Sequence, residues 1–327
     1  MSDATSLGKL LVAAETPEIR CPKCGGKTVR VGTRKTAQGP VQKYRCLQCK
    51  AFFSSAPMPH RHYAPAVILN AITEYNLGKT IAETKAYLLR RFKKEVPQST
   101  LHAWFAEFKD VCTFVAYRRK YSLSEETVVV SRTFDHRQEY RFAFHRLKTN
   151  MFCKTKFPGM RKYLWDIADH CPPNLLTNEV NDRCSEAKLA SVKLAVVRQP
   201  DNNAVLLARL GLMLAERATE RHQAVQRFML VNDTATIAVE IPVYLYPHEA
   251  PDLGLTAPLT GHIDLLQVRY DHLCILDYKP DARHETNAKY QTYLYARALS
   301  VRTGIPFEKI HWAYFDDKDY YAVSAAK

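Results

Sequence analysis

Apolar side chains recur at spacings of three and four between about residues 64 and 111, a pattern typical of helices with one buried face. Three helices are predicted, at about 64–77, at 81–92 and from Pro97 onward. We expect Ser99 or Thr100 to cap the third helix. Its expected buried side consists of Leu101, Trp104, Phe105 and Phe108. The pattern predicts a small all-α region over 60–111, either a helix-turn-helix or a plain helical bundle.

The third helix of a helix-turn-helix enters the major groove of DNA, and its exposed residues meet the base edges. The candidate groove-facing residues are Gln98, Ser99, His102 and Lys109. This surface is a prediction that depends on the helix-turn-helix interpretation.

From about residue 203 onward, helical periods alternate with the two-residue period of strands. The predicted elements are a helix at 204–229, strands at 235–246, 261–268 and 272–279, a helix at 285–301, a strand at 310–315 and a last strand after the turn at 316–319. This order predicts an α/β domain over 201–327, in which a central mixed sheet is flanked by helices.

Residues 112–200 carry mixed helical patterns with clusters of aromatic and basic side chains, and they are predicted to form a helical connector of unknown role. No apolar run approaches the roughly 18 residues that span a bilayer. The first 20 residues lack the basic and apolar regions of a signal peptide. We therefore expect a cytoplasmic protein without a membrane partner.

Charge is unevenly distributed along the 327 residues, whose formal net charge is +14. Residues 20–120 contain 20 Lys and Arg against 5 Asp and Glu, so this region carries the whole excess. A concentrated positive region favours a polyanionic partner, nucleic acid above all, and association with the nucleoid. The alternative is a solvated face that only keeps the protein soluble.

Four of the nine cysteines form two C-x-x-C pairs, Cys21 with Cys24 and Cys46 with Cys49, separated by 21 residues. Two such pairs can place four thiolates tetrahedrally around one structural Zn²⁺. The short strands between them fit a zinc ribbon over 18–55. The second pair lies in KYRCLQCKAFFSS, which resembles the N-terminal zinc ribbons of insertion-sequence transposases and their accessory proteins.

Asp277-Tyr278-Lys279 ends a predicted strand, so Asp277 and Lys279 project from the same face. Asp264 lies on the preceding strand and can bring a second carboxylate to the same point. Two carboxylates can hold Mg²⁺ or Mn²⁺, and the ammonium can orient a water or neutralise developing charge. A surface ion pair is the alternative for an isolated Asp-x-Lys.

The order of these motifs resembles the P-D-(D/E)-x-K nuclease superfamily, in its RecB-type branch, over about residues 200–327. The elements that carry the resemblance are His222, Glu240, the G-H-I-D segment ending at Asp264, Asp277-Tyr278-Lys279, and Gln291 with Tyr295. The resemblance implies a restriction-endonuclease-like core. It also implies that His222, Asp264, Asp277 and the carbonyl of Tyr278 bind the catalytic metal, and that Lys279 is the catalytic lysine.

Four members of this set have purely structural alternatives. His222 lies on an apolar helix face, where a hydrogen-bonded core histidine is equally compatible with the pattern. Glu240 can be an exposed polar position on its strand. By resemblance, Gln291 and Tyr295, four residues apart on one helix face, contact DNA or brace the site; packing is their alternative.

The sequence as a whole predicts a multidomain, metal-dependent DNA nuclease, and the resemblance implies that it leaves a 5′-phosphate. No cysteine follows Cys274, so we expect no iron–sulfur cluster of the kind that several RecB-type nucleases bind. The chain contains no helicase motor, which makes a helicase, or a transposition or repair protein, a candidate partner. A non-enzymatic, transposon-derived DNA-binding protein is the alternative, and the sequence does not separate DNA from RNA as the target.

Overall fold

The computed structural model describes residues 21–54, 62–118, 128–135, 139–170, 182–199 and 202–326, apart from 22, 25, 37, 38, 188, 190 and 191. The chain divides into two compact units, Met1–Pro65 and Ala66–Lys327. The first 20 residues, on which the expectation of no signal peptide rests, lie outside the described part of the chain. No helix among the described residues is long and apolar enough to cross a membrane.

The first unit contains a three-stranded antiparallel sheet. Its strands are β1 (Thr28–Thr36), β2 (Gly39–Cys46) and β3 (Phe52–Ser54). Tyr44 on β2 is buried and stacks on Phe53 of β3, with ring centroids 5.6 Å apart. β1 and β2 confirm the two short strands predicted between the cysteine pairs, and β3 follows the second pair directly.

The second unit opens with four helices, α1 (Pro65–Asn76), α2 (Ile81–Phe92), α3 (Gln98–Phe108) and α4 (Phe114–Arg118). The three predicted helices are confirmed, but the predicted cap of α3 is wrong. Pro97 occupies the N-cap position, and its carbonyl accepts bonds from the N–H groups of Thr100 and Leu101. Among the described residues, no side chain caps this turn.

A nine-stranded mixed sheet fills the centre of this unit, in the order β4-β5-β8-β9-β10-β11-β12-β7, with β6 paired to β9. The pairs β10–β11 and β6–β9 are parallel, and the other pairs are antiparallel. The strands are β4 (Val129–Asp135), β5 (Glu139–His145), β6 (Asp182–Arg183), β7 (Leu194–Arg198), β8 (Thr236–Leu245), β9 (Leu259–Arg269), β10 (His272–Tyr278), β11 (Ile310–Phe315) and β12 (Tyr320–Ala325).

Further helices flank this sheet: α5 (Arg146–Cys153), α6 (Pro158–His170), α7 (Asn203–Leu212), α8 (Arg221–Asn232) and α9 (Ala288–Thr303). The long α9 packs against β8, β10 and β11, while α8 packs against α7 and β8. The predicted α/β core with a mixed central sheet is therefore confirmed at this level.

The helical connector predicted for 112–200 is wrong in its secondary structure, because this segment also supplies β4, β5, β6 and β7 of the sheet. β5 pairs directly with β8. The predicted domain boundary near residue 111 does not separate compact units, because one unit extends from Ala66 to Lys327. Buried hydrogen bonds tie α1 to α8, since Asn232 accepts from Asn76 at 2.9 Å and donates to Thr73 at 2.9 Å.

The single helix predicted over 204–229 is divided into α7 and α8. Before α8, the Glu220 carboxylate accepts from the backbone N–H groups of Glu216 and Arg217, which holds this segment out of the helix. Gly211 permits close packing of the two helices, because a Cβ there would lie 3.0 Å from the Cα of Val225. The division lets α8 return along the sheet and carry His222 to the site described next.

A buried lysine secures the end of α8. Lys148 is fully buried, and its ammonium donates to the carbonyls of Leu230 and Asp233 at 2.5 Å and of Thr236 at 3.0 Å. These carbonyls span the end of α8 and the start of β8, where helix carbonyls lack helical partners. Burial lowers the pKa of Lys148 to about 7, against the opposing effect of the Asp233 charge.

Candidate active site and cysteine cluster

Strand register brings the predicted acidic residues together. β9 and β10 pair with Leu265 opposite Leu276, so the next residues along, Asp264 and Asp277, lie side by side. The backbone N–H of Tyr278 donates to the Asp264 carboxylate at 2.8 Å. Both carboxylates are buried, with Asp277 only 1% exposed.

Lys279 extends from the end of β10 and pairs with Asp277, with Nζ and Oδ2 separated by 2.8 Å. This places the ammonium and the carboxylate on one face, as the strand alternation predicts. The ring of Tyr278 packs instead against Phe315 and His222. The role of the Tyr278 carbonyl as a metal ligand stays a prediction.

Glu240 and His222 join the same cluster from β8 and α8. The His222 Nε2 atom lies 3.0 Å from Asp264 Oδ2 and 3.8 Å from Glu240 Oε1. Gln226, one turn further along α8, donates to Glu240 at 2.6 Å. Glu240 also has a positive φ of 50°, a costly conformation for a non-glycine residue that is typical of functional sites.

The buried charges strongly perturb one another. Burial and the neighbouring charge of Asp264 raise the pKa values of both Glu240 and Asp277 to about 7. Burial also opposes ionisation of Asp264, but the charge and hydrogen bond of His222 outweigh it and lower the pKa of Asp264. The cluster therefore holds more carboxylates than its two basic groups can neutralise easily.

The donor set fits a divalent cation. His222, Glu240 and Asp264 each offer a ligand atom, and these atoms lie within 4.8 Å of one another. Within the described residues, Glu240 Oε2 and Asp277 Oδ1 are buried without a hydrogen-bond partner. Buried carboxylate oxygens without donors are costly unless a cation or ordered water satisfies them. The sequence predicts only a supporting role for Glu240. The structure instead places its carboxylate among the atoms that can bind the cation.

The predicted pair on α9, Gln291 and Tyr295, lines the same cleft as the acidic residues. Gln291 donates to the Tyr295 hydroxyl at 2.7 Å, and both side chains are buried. The Tyr295 ring lies against Gly261 on β9, where an added Cβ would be 2.4 Å from Cε1 of the ring. Only glycine leaves room for Tyr295 at this point, which explains the first residue of the G-H-I-D segment.

The acidic cluster lies in a cleft of about 480 Å³, whose wall contains residues that the sequence analysis did not assign. Tyr140 on β5 stacks on His262, with centroids 3.7 Å apart and an angle of 4° between the rings. Arg183 donates to the Tyr140 hydroxyl at 3.3 Å, and Arg141 also lines the cleft. The aromatic and basic cluster beginning at Tyr140 was the available signal, but nothing in the sequence shows that β5 joins the sheet.

The predicted groove-facing residues remain accessible on α3. Gln98, Ser99, His102 and Lys109 are all exposed. The side chains of Gln98 and His102 interact at 3.3 Å, as expected for positions four apart on a helix. The opposite side of α3 buries Leu101, Trp104 and Phe105 against the rest of the unit. The accessibility of Gln98, Ser99, His102 and Lys109 permits contact with DNA but does not by itself identify a helix-turn-helix.

The four cysteines of the first unit form a second donor set, called the N-terminal cysteine cluster below. Their sulfur atoms lie within 4.8 Å of one another. Backbone N–H groups point at the sulfurs, from Lys23 to Cys21 and from Cys49 to Cys46, both at 3.4 Å. The hydrogen bond from Cys49 lowers the pKa of Cys46 to about 6, which favours the thiolate. The cluster can therefore hold a metal such as zinc.

Comparisons with protein-family models, curated proteins and solved structures find no match.

Proposed function

We propose that this protein is a metal-dependent nuclease that hydrolyses phosphodiester bonds in DNA and leaves a 5′-phosphate. The observation that carries the proposal is the convergence of Asp264, Asp277 and Lys279 in one buried cluster, with Glu240 and His222 beside them. These residues come from three strands and a helix and meet in an open cleft. A surface ion pair would need neither the burial nor the second and third carboxylates.

The metal in this proposal is Mg²⁺ or Mn²⁺, held by the carboxylates of Asp264 and Asp277, with His222 and Glu240 at the same position. When bound, such an ion supplies Lewis acidity and lowers the pKa of a bound water. The hard oxygen donors suit these cations. The partnerless oxygens of Glu240 and Asp277 support the assignment.

The side chains of the protein supply the remaining chemistry. Lys279 orients the attacking water and neutralises charge that develops on the phosphate, a role suited to an ammonium held 2.8 Å from Asp277. Arg141 and Arg183 line the cleft and can bind backbone phosphates. Gln291 and Tyr295 hold the floor of the cleft beside Asp264.

In this proposal, the basic N-terminal third of the chain binds DNA and delivers it to the active site. We assign the N-terminal cysteine cluster to a zinc ribbon, and α1 to α3 to a helix-turn-helix in which Gln98, Ser99, His102 and Lys109 face DNA. The excess of positive charge over 20–120 supports this assignment through phosphate binding. The P-D-(D/E)-x-K superfamily, in its RecB-type branch, is the assignment that the motif order favours.

The test is cleavage of linear, circular and single-stranded DNA, and of RNA, with Mg²⁺ or Mn²⁺. Asp277→Asn and Lys279→Met should each lower the rate by at least about 100-fold. The matched control is the exposed ion pair of Lys162 and Asp166 on α6, whose atoms are 2.5 Å apart. Asp166→Asn and Lys162→Met should cleave at the wild-type rate.

Cleavage that survives both active-site substitutions would refute the assigned site. Tight DNA binding without cleavage by either metal would favour the alternative, a DNA-binding protein on an inactive nuclease scaffold. Cutting of the circular substrate identifies an endonuclease, and the RNA arm identifies the target. The salt dependence of binding to each substrate measures the phosphate contacts independently of cleavage.

A further inference from the structure

A third donor set lies on β10 and β11, away from both sites described above. His272 and Cys274 are two residues apart on β10 and therefore share a face of the sheet. Cys274 pairs in register with His311 on the parallel strand β11, which brings His311 to the same face. Each of the three side chains offers a ligand atom within 4.8 Å of the others.

The two imidazoles are already in contact. The His272 and His311 rings stack with centroids 4.1 Å apart and an angle of 28° between them. Both rings therefore bring ring nitrogens close to the Cys274 sulfur. A neutral imidazole keeps the lone pair that a metal ion needs.

A carboxylate orients one of the rings. Asp271 Oδ1 lies 3.4 Å from Nδ1 of His272, which leaves Nε2 as the nitrogen that can face a metal. This carboxylate–histidine arrangement is the one that commonly supports metal-bound histidines, because it fixes the tautomer and the ring orientation. Asp271 is held in turn by Lys309 at 2.6 Å.

We propose that His272, Cys274 and His311 form a binding site for Zn²⁺, with a solvent molecule as the fourth ligand. One thiolate and two imidazoles are ligands that zinc prefers, and three protein ligands with one open position make a recognised zinc geometry. Cys274 is only 6% exposed, whereas His311 is exposed, so the thiol is protected and the open position faces solvent.

The site is separate from the proposed catalytic cluster. Cys274 and Asp277 are three residues apart on β10, so their side chains project from opposite faces and their Cα atoms are about 10 Å apart. The bound ion would join the beginnings of β10 and β11. Neither the proposed nuclease activity nor the N-terminal cysteine cluster is needed for this inference.

The experiment uses the full chain in a background where the four residues of the N-terminal cysteine cluster are serine, with Co²⁺ as a spectroscopic substitute for Zn²⁺. A tetrahedral Co²⁺ spectrum with a thiolate-to-cobalt charge-transfer band is expected, and the band should saturate at one ion per chain because the proposed catalytic cluster contains no thiolate. Cys274→Ser should abolish the band. Because His311 is exposed, His311→Gln should fold normally and raise the dissociation constant at least about tenfold.

Cys153→Ala is the matched control, since Cys153 is also buried but lies on α5 outside the three donor sets. It should leave the cobalt spectrum unchanged. Circular dichroism of each variant shows that it is folded. Absence of the charge-transfer band in the background protein, its persistence in Cys274→Ser, or wild-type affinity in His311→Gln would each overturn the proposal. Zn²⁺ should displace the Co²⁺ and bleach the band.

Discussion

Substitution of Gly261 by Ala tests how the sheet and α9 build the candidate site. An alanine Cβ would lie 2.4 Å from Cε1 of Tyr295 and 3.3 Å from its Cζ and hydroxyl oxygen. The closest contact is about 1 Å shorter than ordinary van der Waals packing. Tyr295 is buried and bonded to Gln291, so its ring cannot move away without losing that bond.

Overpacking of this kind costs about 1–3 kcal/mol. For a unit of this size we expect the melting temperature of Gly261→Ala to fall by about 2–4 °C per kcal/mol. Displacement of the Tyr295 ring by 1 Å beside Asp264 should also lower the proposed nuclease rate by up to about 100-fold. Calorimetry and a cleavage assay measure the two effects separately.

The Tyr295→Leu background supplies the control, because the smaller side chain vacates the space that the new Cβ needs. In that background, Gly261→Ala should lower the free energy of unfolding much less than it does in the wild type. The double-mutant cycle should give a coupling free energy of at least about 1 kcal/mol. Equal costs in both backgrounds, or a Gly261→Ala protein as stable as the wild type, would refute the steric argument.

Further predictions concern substitutions at Lys148, Glu240 and Cys46. Lys148→Met should lower the free energy of unfolding, measured in urea, by about 3–5 kcal/mol, because it removes the donor of three buried carbonyls. The control Lys156→Met, at an exposed lysine, should change this free energy by less than about 0.5 kcal/mol. An equal decrease in both variants would contradict the prediction. The folded pKa of Lys148, about 7, lies below its ordinary value of 10.5, so the unfolded state binds the extra proton between these limits. As the pH rises over that range, the free energy of unfolding of the wild type should increase by up to about 1.4 kcal/mol per pH unit relative to that of Lys148→Met. Parallel pH profiles of the two proteins would refute the perturbed pKa. Glu240→Gln keeps the shape that Gln226 contacts but removes a charge, so Mn²⁺ affinity measured by calorimetry should fall at least about tenfold, and unchanged affinity would exclude Glu240 from the metal site. Cys46→Ser should lower bound zinc by one ion per chain and expose the β1–β2 amides to hydrogen exchange, an effect that intact protection would disprove.

Local sequence patterns determined the secondary structure around the candidate site. Alternation along β8, β9 and β10, and the three-to-four-residue spacing of α1 to α3, are properties of neighbouring residues, so they are visible without a fold. The cysteine pairs similarly carry their own spacing, and the structure places the four sulfurs together as predicted. The same-face relation of Asp277 and Lys279 follows from strand geometry alone.

Long-range pairing decided what the local pattern could not. The segments 129–135 and 139–145 are strands and not parts of the predicted helical connector, because only pairing of β5 with β8 gives these short segments a place in the sheet. The division of α7 from α8 depends on the Glu220 bonds and on packing at Gly211, and neither changes the apolar period.

The candidate site also combines features that the local sequence determines with features that only the tertiary structure determines. The sequence by itself determined which residue types are available at Asp264, Asp277 and Lys279, and that strands present them. Only the tertiary structure placed Glu240 against His222 and stacked Tyr140 on His262. These contacts join residues distant in sequence, and they are selected by the strand register and by the burial of the whole sheet, which no local pattern encodes.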